Sequence, residues 1–155
     1  MKKVLAVGIA VLIILVSLAG CDSETNISFN SADVEKVEVF TGSVPAQATK
    51  KIVTDEKDIK RIINGLNTLT VVREATNDDL LAGGIGTTFH FYLANGDSYT
   101  ILNNGNLLST TQGLFVVKGT SLSTDTFWNS LSYEMISVTE SELPIIKIAE
   151  NPNEN

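Results

Sequence analysis

Apolar and polar positions recur along this chain with a period that changes several times, and each period predicts a different element. An apolar run, interrupted only by small residues such as Gly8, occupies residues 4–16, after which the chain turns mostly polar. Residues 34–40 and 48–53 are rich in β-branched and aromatic side chains, and Val37 and Val39 lie two positions apart. Because this spacing is typical of strands with one buried face, both segments are predicted to be strands.

The pattern then changes to the helical period. Either Thr54 or Asp55 can cap a helix start, and acidic residues follow in the first turn, where the helix dipole favours them. We predict a helix over residues 55–66 that packs on a sheet through one apolar stripe with spacing i, i+3, i+4 and i+7. The stripe consists of Ile59, Ile62, Ile63 and Leu66.

The segment around Asn95-Gly96 predicts a β-hairpin, since this dipeptide lies between the alternating segments 86–94 and 97–102. With a two-residue type I′ turn, Tyr92 faces Tyr99 and His90 faces Ile101. This register puts Phe89, Phe91, Leu93 and Leu102 on one face, and Thr88, His90, Tyr92, Tyr99 and Ile101 on the other.

The remaining pattern completes an α+β fold. Strands are predicted at residues 69–74, 106–110 and 114–118, and a second helix near residues 123–135. Ile146 and Ile148 fit a short edge strand, and the last residues, 150–155, are expected to be disordered. We therefore expect one domain over residues 33–149, an antiparallel sheet meander packed by one main helix with a second helix near the C-terminus.

The leading apolar run predicts an export signal. It is shorter than the roughly 20 apolar residues of a membrane span, and it follows Lys2 and Lys3. Shortly after the run comes Leu18-Ala19-Gly20-Cys21, a lipobox-like motif that contains the sole cysteine. We expect residues 1–20 to be a signal peptide, Cys21 to be lipidated on its nucleophilic thiol, and residues 21–32 to form a flexible tether. The alternatives are an ordinary secretory signal or a buried structural cysteine.

Three features together resemble a known class of protein: this motif, the helix with its Asp-Ile-Lys-Arg-Ile-Ile stripe, and the Phe-His-Phe-Tyr-Leu-Ala-Asn-Gly hairpin. The chain resembles small lipoproteins of Gram-positive bacteria that carry domains of unknown function. Its helix and hairpin are also similar to short α+β modules appended to extracytoplasmic sensors. The resemblance implies anchoring through acyl chains such as palmitate at the outer face of the cell membrane, and it supplies no active-site residues.

Charge excludes several partners. The formal net charge is −7, and removal of the two leader lysines makes the remainder more negative still. Such a surface repels phosphate backbones and anionic headgroups, so we expect neither nucleic-acid binding nor electrostatic adsorption to a membrane. With its single cysteine assigned to the lipid, the chain has no thiol left for a disulfide or a thiolate metal site.

No catalytic or cofactor motif stands out. His90 is the sole histidine, so any catalytic triad has to use this ring. The glycines of residues 83–86 lead into a strand rather than a helix, unlike a phosphate-binding loop. Asp78, Asp79 and Asp97 match no calcium loop, and nothing positions Asp78 with Asp97 as a catalytic pair. We therefore expect no enzyme, no cofactor and no metal site.

The one candidate interaction face consists of His90, Tyr92 and Tyr99, because tyrosines with polar tips suit protein recognition. Alternatively, the second helix or the C-terminal segment covers this face. The leading hypothesis is a non-enzymatic binding or interaction module with an envelope protein as partner. The alternative is a carrier of a small ligand, a peptide or a sugar, that binds between helix and sheet.

Overall fold

The computed structural model describes residues 25–26, 33–42, 47–80 and 86–146. The predicted signal peptide, Cys21, the predicted disordered tail and Ile148 lie outside the described residues, so the expectations about them stay predictions.

One antiparallel sheet dominates the described part of the chain. The strands are β1 (Thr25–Asn26), β2 (Val34–Thr41), β3 (Thr49–Val53), β4 (Thr70–Glu74), β5 (Thr87–Leu93), β6 (Ser98–Asn104), β7 (Leu107–Thr110), β8 (Gly113–Lys118) and β9 (Ile136–Ser137). Strands β5 to β8 form the predicted meander, and the β2–β3 hairpin extends it beyond β5, so the order is β1-β4-β8-β7-β6-β5-β2-β3-β9. With its main helix the fold is α+β, as predicted.

Helix α1 (Glu56–Asn67) follows the predicted stripe. Asp55 is the N-cap, and its carboxylate accepts hydrogen bonds from the backbone N–H groups of Lys57 (2.9 Å) and Asp58 (3.3 Å). The side chains that face the sheet are all buried in one core with the inward residues of the central strands. They are Ile59, Ile62, Ile63 and Leu66 from the helix and Val37, Val39, Phe89 and Phe91 from β2 and β5.

Besides α1, the described residues form two short α-helices, α2 (Asn77–Leu80) and α3 (Asp125–Ser130). The prediction of a helix to residue 135 is wrong, because Leu131 has extended backbone angles and Met135 is 62% exposed. Lys51 on β3 explains where the helix ends, since its Nζ donates to the carbonyl oxygens of Trp128 (2.9 Å) and Leu131 (2.7 Å). Each of these carbonyls also accepts a backbone N–H, from Leu131 (3.2 Å) and from Tyr133 (2.9 Å), so the ammonium group uses their second acceptor position at the C-terminal end of the helix.

The edge strand near the C-terminus also differs from the prediction. It is β9 at Ile136–Ser137, paired with β3, whereas residue 146 has no strand structure. After β9, a 3-10 turn at Glu140–Glu142 brings the chain across the sheet. Val138 and Leu143 then pack on Phe40 and Ala48, so the apolar residues of this segment cover one corner of the second sheet face.

Part of the predicted tether belongs to the sheet. In β1, Thr25 lies opposite Val71 and Asn26 lies opposite Thr70 of β4. The expectation of a flexible spacer over residues 21–32 is therefore corrected at these two residues, whose backbone pairs with an edge strand that otherwise has open hydrogen-bonding groups.

A fully buried asparagine joins the sheet to the loop before α3. Asn103 Nδ2 donates to the carbonyl oxygens of Gly105 and Leu107, both at 3.1 Å. Its Oδ1 accepts from Ser121 Oγ (3.0 Å) and from the backbone N–H of Leu122 (2.9 Å). Every polar position of this amide is thus used, which makes the interaction specific for asparagine.

Replacing Asn103→Ala leaves buried polar groups of the β6–β7 turn and of the 121–122 loop without partners. We expect the free energy of unfolding to fall by about 2–4 kcal/mol in urea denaturation. The matched variant Asn104→Ala, at the half-buried neighbouring position, should change it by less than about 1 kcal/mol. Equal losses for the two variants would contradict the assigned role of Asn103.

Candidate functional site

The loop of the β5–β6 hairpin decides which side chains share a face. It has three residues, Ala94, Asn95 and Gly96, because the Leu93 N–H donates to the Asp97 carbonyl at 2.9 Å. Gly96 has φ +88°, whereas no described non-glycine residue has positive φ. A type I′ turn needs positive φ at both central residues, so the predicted two-residue turn is wrong and a left-handed glycine closes the loop instead.

This loop shifts the register by one residue from the predicted one, and such a shift moves side chains to the opposite face. Phe91 now pairs with Tyr99, and Phe89 pairs with Ile101. The Tyr99 ring stacks on Phe91 at 4.5 Å between centroids with 11° between planes. Burial there raises the pKa of the Tyr99 hydroxyl. The predicted interaction face is therefore corrected, since Tyr99 lies on the core side, away from His90 and Tyr92.

The second face of the sheet carries a polar group of side chains that we call the open-face patch. Cross-strand pairing places Lys36 beside Tyr92 and Glu38 beside His90. The neighbouring strands β6 and β3 add Thr100, opposite His90, and Lys50, two positions along from Ile52, the partner of Glu38. The open-face patch thus consists of Lys36, Glu38, Lys50, His90, Tyr92 and Thr100.

Glu38 is the centre of the patch. Its two carboxylate oxygens lie 3.2 Å from Lys36 Nζ and 3.4 Å from Lys50 Nζ. Burial raises the pKa of this carboxyl, but the hydrogen bond from Lys36 and the charge of Lys50 outweigh it, and the net pKa is lowered. Glu38 is therefore a carboxylate at neutral pH, and the patch contains two cations and one anion.

The two rings of the patch, those of His90 and Tyr92, contact each other and their neighbours on the same face. His90 Nδ1 lies 2.7 Å from Thr100 Oγ1, and its ring contacts the Tyr92 ring edge-on at 4.6 Å. Burial lowers the pKa of His90, the charge of Glu38 raises it and that of Lys36 lowers it, with a net decrease. Lys36 Nζ lies 3.7 Å from the centroid of the Tyr92 ring, a cation–π contact. Burial, with a smaller contribution from Glu38, raises the pKa of the Tyr92 hydroxyl.

At neutral pH the patch thus presents a neutral imidazole, a protonated phenol, two ammonium groups and one carboxylate. Glu38 is only 8% exposed, so the half-buried side chains of Lys36, Lys50, His90 and Tyr92 are the part of the patch that a partner can reach. The hydroxyl nearest the imidazole belongs to Thr100, which is only 8% exposed and so offers a substrate little access.

Comparison of the chain with protein-family models, curated proteins and solved structures finds no match.

The acidic residues singled out in the sequence have local roles. Asp79 accepts from both terminal nitrogens of Arg73 (2.8 and 2.9 Å) and from the Thr76 N–H, and the guanidinium holds the pKa of this carboxyl well below its usual range. Asp97 accepts from Asn95 Nδ2 at 2.8 Å in the hairpin loop.

No group of three or more potential metal ligands occurs among the residues that the structure describes. In the same part of the chain, no helix has the length and apolarity to span a membrane.

Lys36, Glu38 and Lys50 are not among the residues predicted from the sequence, although a usable signal exists. Since Val37 and Val39 point into the core, the positions that alternate with them in β2 must point to the other face. The proximity of Lys36 and Glu38 to His90 was not predictable in this way, because β2 and β5 are distant in the chain and their pairing is a property of the whole sheet.

We expect His90 to titrate below 6.5, its ordinary value, in a ¹H–¹⁵N NMR pH series, because burial disfavours the imidazolium. Glu38→Gln should lower its pKa further, since it removes the charge that stabilises the imidazolium, and Lys36→Met should raise it. The control Lys60→Met removes a lysine on the solvent side of α1 and should leave the titration unchanged. A His90 pKa above the ordinary value would contradict the described environment.

Proposed function

We propose that this protein is a lipid-anchored binding module at the outer face of the cell membrane, and that the open-face patch binds an envelope protein. The anchor is supported by the order of charge, apolar run, small residues and Cys21 at the start of the chain. Two or more acyl chains, with about 0.8 kcal/mol per buried methylene, are enough for stable membrane attachment.

The patch carries the binding proposal because it gathers charged and aromatic side chains on the central strands. Strands β2 and β5 are each paired on both sides, so their side chains are held on a rigid surface. A tyrosine ring contributes a large contact area with little loss of conformational entropy, and the flanking charges orient a partner. Tyr92 supplies the aromatic contact area, and Lys36 and Lys50 supply the charges for a protein partner of complementary charge.

Packing between helix and sheet favours this module over a small-ligand carrier. The α1 residues that face the sheet are at most 3% exposed and contact apolar side chains of the strands. A carrier site needs a cavity with converging polar groups, and the described core is apolar at this interface. The negative net charge also disfavours a nucleic acid as the partner.

Replacing Cys21→Ala tests the anchor. In cells grown with a clickable palmitate analogue, the wild-type chain should become labelled. The variant should carry at most about one tenth of the wild-type label, because the thiol is the acylated group. Ser23→Ala, two positions further along, is the matched control and should keep the label. A wild-type chain with an unmodified thiol, or with its leader still attached, would contradict the proposal.

Replacing Lys36→Glu tests the patch, since it reverses one charge and breaks both the ion pair to Glu38 and the contact with Tyr92. We expect crosslinking to an envelope protein in intact cells to fall by roughly tenfold, the effect of losing one strong interface residue. Lys60→Glu makes the same charge change on α1 and should leave crosslinking unchanged.

The variant Tyr92→Ala should reproduce this loss, and the unfolding free energies of all the variants identify any general loss of folding. Crosslinking that is equally efficient in Lys36→Glu, Tyr92→Ala and the wild type would exclude the patch as the binding surface.

A further inference from the structure

The pairing of β1 with β4 limits how far the folded domain can move from Cys21. Thr25 is the first residue of β1 and lies only four positions after Cys21. Four residues of fully extended chain span at most about 14 Å. A lipid on Cys21 therefore leaves the β1–β4 edge within this distance of the membrane surface.

A free tether would behave differently. If the chain were flexible from Cys21 to the start of β2, a dozen residues would give an average reach of about 20 Å and an extended reach of about 40 Å. The domain could then present any side to the membrane. The paired residues Thr25 and Asn26 remove most of this freedom, because the chain enters the sheet at its edge.

We infer that the β1–β4 edge is the membrane-facing side of the domain, with the lipid headgroup surface as the partner of this edge. The inference rests on the proposed lipidation of Cys21. The opposite edge, formed by β3 and β9, points away from the bilayer, because seven strand spacings separate β9 from β4 in the sheet order.

Electrostatic attraction does not cause this orientation. β4 carries Arg73 and Glu74, Asp79 follows in α2 and Lys118 lies on the neighbouring strand β8, so the charges near this edge are mixed, and Arg73 is already bound to Asp79. One apolar side chain of β4, Val72, is 46% exposed there. The short connection to the lipid keeps the edge at the headgroups, and it does so in anionic and zwitterionic membranes alike.

The orientation also determines where the open-face patch lies. Strands β5 and β2 are four and five strand spacings from β4. With about 4.8 Å per spacing, the patch lies roughly 19–24 Å from the anchored edge along the sheet. A partner that binds the patch therefore presents its own site above the membrane at this distance plus the length of the connection to Cys21, as a membrane-attached envelope protein with an extracytoplasmic domain can do.

Energy transfer to a lipid dye measures the orientation directly. The full chain with Val72→Cys or Met135→Cys is produced in a bacterial host, labelled with a donor dye in isolated membranes, and mixed with acceptor-labelled lipid. Both positions are exposed and apolar, so the two variants are matched. We expect transfer from position 72 to be at least about twofold that from position 135, because the sheet separates the two edges by about 34 Å. Equal transfer from the two positions would overturn the inference.

Two further variants test whether the short connection is the cause. Twelve Gly/Ser residues inserted between Glu24 and Thr25 give a flexible connection of about 22 Å, and the difference between the two dye positions should disappear. The double substitution Thr25→Pro and Asn26→Pro removes both strand N–H groups of β1 and should reduce the difference in the same way. A difference that persists in both variants would overturn the inference.

The membrane fraction and the mass of the N-terminal peptide separate the two proposals. If the chain is absent from membranes, or if Cys21 is unmodified, the proposed anchor fails and the orientation fails with it. If Cys21 is acylated but transfer is equal from both edges, the anchor stands and the orientation alone is wrong.

Discussion

The register between β5 and β6 is the constraint on which the rest of the structure depends. Because side chains alternate across a strand, one register assigns Phe89, Phe91 and Ile101 to the core and His90 and Tyr92 to the other face. The three-residue loop and the left-handed Gly96 set this register. The core under α1 and the open-face patch are therefore two consequences of the same loop.

Local patterns predicted most elements because their causes are local. The apolar stripe and Asp55 define α1 within a few residues, and the alternation of β-branched residues defines the strands. The errors came from interactions that join distant parts of the chain. Lys51 binds the carbonyl oxygens where α3 ends, although some eighty positions separate the two, and β9 forms because β3 offers it an open edge. Turn type was the remaining error, since Asn-Gly fits a two-residue turn and also the longer loop with Gly at its left-handed position.

The candidate site shows the same division. The alternation along β5 predicts that His90 and Tyr92 share one face. The charged residues beside them depend on the pairing of β2 with β5, which the local pattern does not predict. Glu38 and its two lysines make the site charged and set the pKa of the imidazole. Together with the proposed lipid at Cys21, this arrangement describes a rigid recognition surface beside a membrane, with the binding chemistry separated from the point of attachment.

The most direct test of the register is the pattern of Hα–Hα nuclear Overhauser effects across the hairpin. Leu93 and Asp97 are a hydrogen-bonded pair, so the close Hα contacts belong to the alternate, non-hydrogen-bonded pairs. The structure predicts such contacts between Tyr92 and Ser98 and between His90 and Thr100. A contact between the Hα atoms of Phe91 and Thr100 would indicate the two-residue turn, return Tyr99 to the face of His90, and contradict the open-face patch.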